Sequence, residues 1–246
     1  MGAPALRRLD RPVFALAAGG IGAHLLARAL VSGRVVAAGT GTRGRTIRWA
    51  RLYDALVALL SLGRARAIRA TTAELAGIAP GEAVLDVGCG TGELTMRAAA
   101  RAGPGGRVAG IDPAPEMIAV ARRKAARAGR AIDYRVAAVE ALPFPDGTFD
   151  VALSSLMLHH LPGDLQRRGL AEIRRVLRPG GRLLVVDLKR PTTGPGRVAL
   201  ALALHGRMEG GVQDLPPLLE AAGFGAVEVG ETGFAPLGFV RGRAPG

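Results

Sequence analysis

Between Asp86 and Gly92 the chain reads Asp-Val-Gly-Cys-Gly-Thr-Gly, and Asp112 stands 20 residues after Gly92. An apolar run precedes the glycines and a helix-like segment follows them. Glycines in such a turn permit unusual backbone angles and let a ligand press against the main chain. The next helix then offers unpaired N–H groups. An acid at the end of the following strand can accept hydrogen bonds from both hydroxyls of a ribose. The spacing departs from the dinucleotide pattern G-x-G-x-x-G, because Gly92 comes one residue early and Glu93 follows it. A pyrophosphate has no use for a carboxylate there. A ligand carrying a ribose and a cationic amino-acid end suits the residues better. Asp86 has two readings: it caps the glycine turn or it touches the ligand.

Other reactive side chains are sparse. Cys89 is the single cysteine and reads as a small packed residue rather than a nucleophile. His159 and His160 adjoin, and adjacent residues on a helix do not share a face, so one of the two at most points into a site. His160 is the candidate general base; its other reading is a residue that packs on the loop or orients a substrate. Neither histidine has metal-ligand spacing with His24 or His205, so we read no metal site.

These residues need a scaffold, and the hydrophobic pattern supplies one. Short apolar runs at 83–87, 107–112, 132–136, 149–155 and 182–187 read as strands, and helical segments separate most of them. That alternation predicts an α/β fold with a parallel sheet covered on both faces. A last helix is expected over 215–224, then two strands near Val227 and Phe239. Before the glycine turn, Trp49, Leu52, Tyr53, Leu56, Leu59 and Leu60 recur at helical spacing. Residues 1–45 read as an N-terminal extension and linker, and 46–246 as the main domain. Within that domain 46–80 are N-terminal helices, and 189–214 are a candidate cover for the acceptor site.

The 246 residues carry a net charge of +13, and Lys124 and Lys189 are the only lysines among 33 basic residues. The arginines form no block and have few aromatics between them, which favours solvated faces over a nucleic-acid surface. With 49% hydrophobic residues the chain is not globally disordered. Arg7, Arg8 and Arg11 precede an apolar run that Arg28 closes, and the run is too short to span a bilayer comfortably. We expect residues 12–32 to stay attached rather than be cleaved as a signal, and to lie on a membrane surface or cover the acceptor entrance. A helix docked on the core is the competing reading.

Four segments in order, VLDVGCGTG, GIDPAPEMI, ALPFPDGTFDVALSS and RRVLRPGGRLLVVD, resemble the class I S-adenosylmethionine-dependent methyltransferases. The likeness is greatest to the ubiquinone/menaquinone-biosynthesis branch and covers about Arg48 to Phe224. It implies a Rossmann-like, seven-stranded, mostly parallel sheet with helices on both faces and an antiparallel last strand near Phe239. It implies S-adenosylmethionine as cofactor, with the methionine part on Asp86, Gly88, Cys89, Gly90 and Gly92. Asp112 would grip the ribose, Pro113 and Met117 would lie near the adenine, and Ser154 and Ser155 would face the methionine or the methyl group. Tyr53 matches a position near the cofactor carboxylate. Ala138 stands where the family often has an acid that reads the adenine amino group, so either the backbone of Val139 suffices, or affinity is weaker, or Glu140 substitutes. The implied activity is methyl transfer to a small molecule, hydrophobic or quinone-like, in the cytoplasm. A nucleic-acid methyltransferase and a non-catalytic cofactor-binding protein are the alternatives.

Overall fold

The computed structural model describes Thr42, Ala50, Asp54, Val57, Ala58, Ser61, residues 63–190 and residues 210–246. Apart from Thr42, the expected extension over 1–45 falls outside these residues, as do Tyr53 and most of the expected cover over 189–214. Five helices are described: α1 (Ala65–Leu75), α2 (Glu93–Ala102), α3 (Pro115–Arg127), α4 (Gly163–Val176) and α5 (Pro216–Ala221). The strands are β1 (Ala83–Val87), β2 (Arg107–Asp112), β3 (Asp133–Val136), β4 (Phe149–Ser155), β5 (Leu177–Leu188), β6 (Gly225–Glu231) and β7 (Leu237–Arg243).

All seven strands form one sheet in the order β3-β2-β1-β4-β5-β7-β6. β7 runs antiparallel to both of its neighbours, and the other described pairings are parallel. The expected odd strand at Phe239 is therefore present. β5 begins earlier than the sequence pattern suggests. Leu177 already pairs with Phe149, and an irregularity then carries Arg178-Pro-Gly-Gly out of register before Arg182 pairs with Val151. A turn-forming run thus sits as a bulge inside one strand rather than before it.

The apolar runs have no polar face because both faces of the sheet are covered. In β1, Leu85 and Val87 pack with Leu165, Leu170 and Ile173 of α4, while Val84 packs with Ala73 of α1 and Ala98 of α2. β4 and β5 repeat this, with Ala152 and Leu183 on the α4 side and Leu153 and Leu184 on the other. Gly169 lets α4 approach the loop after β3, since a Cβ there would meet the Val139 side chain at 2.9 Å.

Strand order reverses between β1 and β4. β1 leads outward to β2 and β3, whereas β4 leads to β5, β7 and β6. A crevice opens beyond the carboxyl ends of the strands at such a point. The glycine turn, Asp112, Ser154 and Asp187 all lie at that edge.

At the opposite edge one arginine joins three elements. Arg182 of β5 donates to the carbonyls of Ala76 and Gly77 just after α1, and to both carboxylate oxygens of Glu82 before β1. Its hydrogen bond holds the Glu82 carboxyl below the usual carboxylate range. Both side chains are about three-quarters covered, so water competes less here than at an open surface pair. Arg182→Met should lower stability by roughly 1.5–3 kcal/mol, the scale of hydrogen bonds to a charged group. Urea unfolding checks this; an unchanged midpoint would show that the α1 end is held otherwise.

Candidate active site

The glycine turn leaves β1 with Gly88, Gly90 and Gly92 at φ of 75°, 53° and 81°. These are left-handed conformations that side-chain-bearing residues seldom adopt. Packing adds a second demand at two of them. A Cβ on Gly88 would collide with the Met157 side chain, and one on Gly92 with the Tyr134 hydroxyl group. The close approach read from the sequence is therefore made, at Gly88 and Gly92, by the protein's own side chains.

Asp112, at the end of β2, holds the turn. Its Oδ2 accepts the Gly90 N–H at 3.0 Å, and its Oδ1 accepts the Ala114 N–H at 2.8 Å. Burial raises its pKa to about 6, against the lowering effect of those two N–H donors. Each oxygen retains a lone pair, so the carboxylate can accept further donors such as two ribose hydroxyls.

Asp86 is buried and faces inward. Its Oδ2 accepts the Thr95 hydroxyl at 2.6 Å, tying β1 to the first turn of α2. Burial pushes it up to about 7, the Thr95 hydrogen bond opposes this, and the Asp112 charge adds to it. Cys89 packs with Ile118, Ala121, Ala125 and Tyr134, and burial pushes its thiol well above the ordinary range. A thiol held protonated is a poor nucleophile.

The remaining expected contacts divide into two groups. Met117 is buried against Ala50, Ala114 and Val120, and Pro113 is half-buried beside Asp112. Ala138 and Val139 are buried, with the Val139 side chain in the core beneath α4. Ser155 is half-buried, but Ser154 is fully buried and its hydroxyl has no hydrogen-bond partner. Glu140 Oε2 is likewise buried without a partner. Buried polar atoms seldom stay unpaired. Two such atoms at the edge that holds Asp112 and the glycine turn fit a polar ligand, and S-adenosylmethionine offers matching groups.

Several participants were not legible in the sequence. Lys124 of α3 donates to Asp54 at 2.6 Å, to Glu93 at 2.7 Å and to the Thr91 hydroxyl at 3.1 Å. Glu93, read as suiting a cationic ligand end, is thus already ion-paired. Leu156 leaves β4 at φ 55°, a strained conformation for such a residue. It sets Met157 over Gly88 and begins the 3₁₀ turn Leu158–His160. In that turn His159 is buried, and its Nδ1 lies 2.5 Å from Asp187 Oδ1 at the end of β5. His160 is half-buried, with its ring centroid 3.9 Å from that of His159. Nothing in the strand pattern of LLVVDL distinguishes Asp187 from a residue that merely ends a strand.

Among the described residues, no group of three or more His, Cys, Asp or Glu side chains could hold a metal ion. No helix among them is long and apolar enough to cross a membrane.

Known proteins place this arrangement. Residues 84–181 match the family model described as a methyltransferase domain. The chain is 39% identical over 142 residues to the demethylmenaquinone methyltransferase of Thermus thermophilus, covering 58% of this chain and 63% of that one. It is 38% identical over 142 residues to the ubiquinone/menaquinone biosynthesis C-methyltransferase of Hydrogenovibrio crunogenus, covering 57% and 55%. Each match thus spans less than two thirds of the relative's length. A crystal structure of an S-adenosylmethionine-dependent methyltransferase from Aquifex aeolicus superposes with a TM-score of 0.59 at 26% identity, over 70% of this chain and 86% of that one. The matched segment holds the glycine turn, Asp112 and the end of β4; residues 84–181 match a methyltransferase domain, and the chain is similar there to S-adenosylmethionine-dependent methyltransferases, those of ubiquinone/menaquinone biosynthesis among them.

Proposed function

We propose that the protein transfers a methyl group from S-adenosylmethionine to a small, hydrophobic acceptor of the quinol type. The observation that carries the proposal is the Asp112 carboxylate, bonded to the N–H of Gly90 and set at the switch point of the sheet. The names of the relatives, both enzymes of quinone biosynthesis, support the acceptor class. When bound, S-adenosylmethionine supplies an electrophilic methyl carbon on a sulfonium, so the hard chemistry comes with it. The chain's task is to bind, align the acceptor and exclude water. Asp112 would take the ribose hydroxyls, Ser154 a polar group of the methionine part, and Glu140 the donor that the missing acid at Ala138 leaves to it. Pro113, Met117 and Val139 would wall the adenine, Ser155 would face the methyl side, and Tyr53 the cofactor carboxylate. His160, the candidate base of the sequence reading, is half-buried beside the site, and there its other reading serves: it would orient the acceptor.

Asp112→Ala should weaken binding of S-adenosylhomocysteine by roughly 1–3 kcal/mol. Gly90→Val should weaken it further, because a branched residue at φ 53° strains the turn. Calorimetry that found both variants equal to the parent would remove this turn from the site.

Acid should weaken the same binding. Asp112 in the free protein ionises at about 6, and a ribose that donates to the carboxylate favours the ionised form. Affinity should therefore be flat above about pH 7 and fall by up to about tenfold per unit below pH 6. Asp112→Asn should abolish the slope, and a slope that persists in that variant would assign it to another group.

We further propose a cytoplasmic protein that touches membranes through residues 12–32, where a lipophilic acceptor would be concentrated. Flanking arginines add about 1 kcal/mol each near anionic lipid. Replacing Arg7, Arg8 and Arg11 by serine should cut co-sedimentation with phosphatidylglycerol vesicles at least tenfold. Unchanged sedimentation would reject the membrane role.

A further inference from the structure

A buried histidine–carboxylate pair lies at the carboxyl ends of β4 and β5, and the proposed function does not use it. Asp187 is 2% exposed and accepts three hydrogen bonds. His159 Nδ1 lies 2.5 Å from its Oδ1, the Leu188 N–H donates to the same oxygen at 2.8 Å, and the His159 N–H donates to Oδ2 at 3.1 Å. These three contacts use both carboxylate oxygens. A carboxylate facing Nδ1 fixes the proton on that nitrogen and leaves the lone pair of a neutral ring on Nε2. The same carboxylate stabilises the ring once Nε2 has taken a proton.

The fold fixes this ring twice. Gln166 of α4 donates to the carbonyls of Leu158 and Leu161 on either side of it, at 3.0 and 3.2 Å. Asp187 clamps the backbone and the ring of the same residue. Two residues earlier Met157 lies against Gly88, so the turn that carries His159 also walls the cofactor cradle. Against the ring lie Asp187 from β5 and His160 from its own turn. From α4 the uncharged Gln166 reaches the backbone on either side of it.

We propose that Asp187 and His159 act as a proton-accepting pair for a hydroxyl-bearing acceptor, with His159 the base and Asp187 the residue that positions it. This deepens the quinol reading and rests on it. His159 Nε2 takes the proton of the acceptor hydroxyl, and the O–H electron pair stays with the acceptor. The acceptor's oxygen, or the ring carbon conjugated to it, bonds the methyl carbon, and the methyl–sulfur pair passes to sulfur; where carbon is methylated, that carbon then loses its hydrogen as a proton, and the C–H pair restores the aromatic ring. A thioether, or an amine that is already unprotonated, has its lone pair available and needs no such pair of residues. The inference therefore selects phenolic or enolic acceptors.

The test uses the full chain with S-adenosylmethionine and reduced 1,4-dihydroxynaphthalene. His159→Asn keeps a donor where Nδ1 stood, and so keeps the tie to Asp187, but has no Nε2. It should bind S-adenosylhomocysteine like the parent and lose at least about a hundredfold in kcat, the scale of general-base catalysis. The rising limb of the parent's kcat–pH profile should vanish with it. Asp187→Asn should move that limb to lower pH, because the charge that stabilises the protonated ring is gone. Proton NMR of the ligand-free parent reads the pair without turnover, as an imidazole Nδ1 proton well downfield of the amides that both variants lose. A His159→Asn variant with parental kcat and pH profile would make the pair purely structural. A parent that binds S-adenosylhomocysteine yet does not methylate the probe would likewise contradict the pair's role. A parent that does not bind it would instead contradict the proposed cofactor.

Discussion

The site depends on one carboxylate. Asp112 ends β2, and its two oxygens accept the N–H of Gly90 from the turn after β1 and the N–H of Ala114 at the start of α3. Those two bonds join neighbouring strands to the helix that follows them. They hold three left-handed glycines in one shape before any ligand arrives. A carboxylate enclosed by protein carries a desolvation penalty, and here the penalty shows as a pKa near 6. Ligand hydroxyls donating to it would offset that penalty. The group that shapes the cradle is thus also the one left wanting donors.

Around this point the polar groups divide between the scaffold and the crevice. Asp86 is bonded to Thr95, and Lys124 is surrounded by Asp54, Thr91 and Glu93. In a chain that uses arginine almost throughout, this cluster of three oxygen partners takes a lysine. The compact ammonium can meet three acceptors where a planar guanidinium favours two side by side. By contrast Ser154 and Glu140 each keep a buried oxygen without a partner, both at the carboxyl edge of the sheet. The paired set builds the cradle, and the unpaired set is what a ligand can satisfy.

The sequence shows some of this for clear physical reasons. Strands buried on both faces must be continuous apolar runs, so β1, β2 and β4 are readable at their full length. The glycine turn and Asp112 are readable because the backbone demand is local and the acid follows one strand later. The Asp187–His159 pair is not, because its members are 28 residues apart and meet only when β5 lies beside β4. Glu93 misled for a similar reason: its charge belongs to Lys124, one helix away. Leu156 gives no sequence signal, since a leucine in a left-handed conformation looks like any leucine. The start of β5 was misplaced because a Pro-Gly-Gly run that usually ends a strand here forms a bulge within it.

The central claim is that the crevice between β1 and β4 binds S-adenosylmethionine through Asp112, and a crystal structure of the chain with S-adenosylhomocysteine tests it most directly. The account predicts both ribose hydroxyls within hydrogen-bond distance of the Asp112 carboxylate and the methionine part along the Gly88–Gly92 turn, with Ser154 acquiring a partner. Density for the ligand elsewhere, or a ribose that leaves Asp112 bonded only to Gly90 and Ala114, would contradict it.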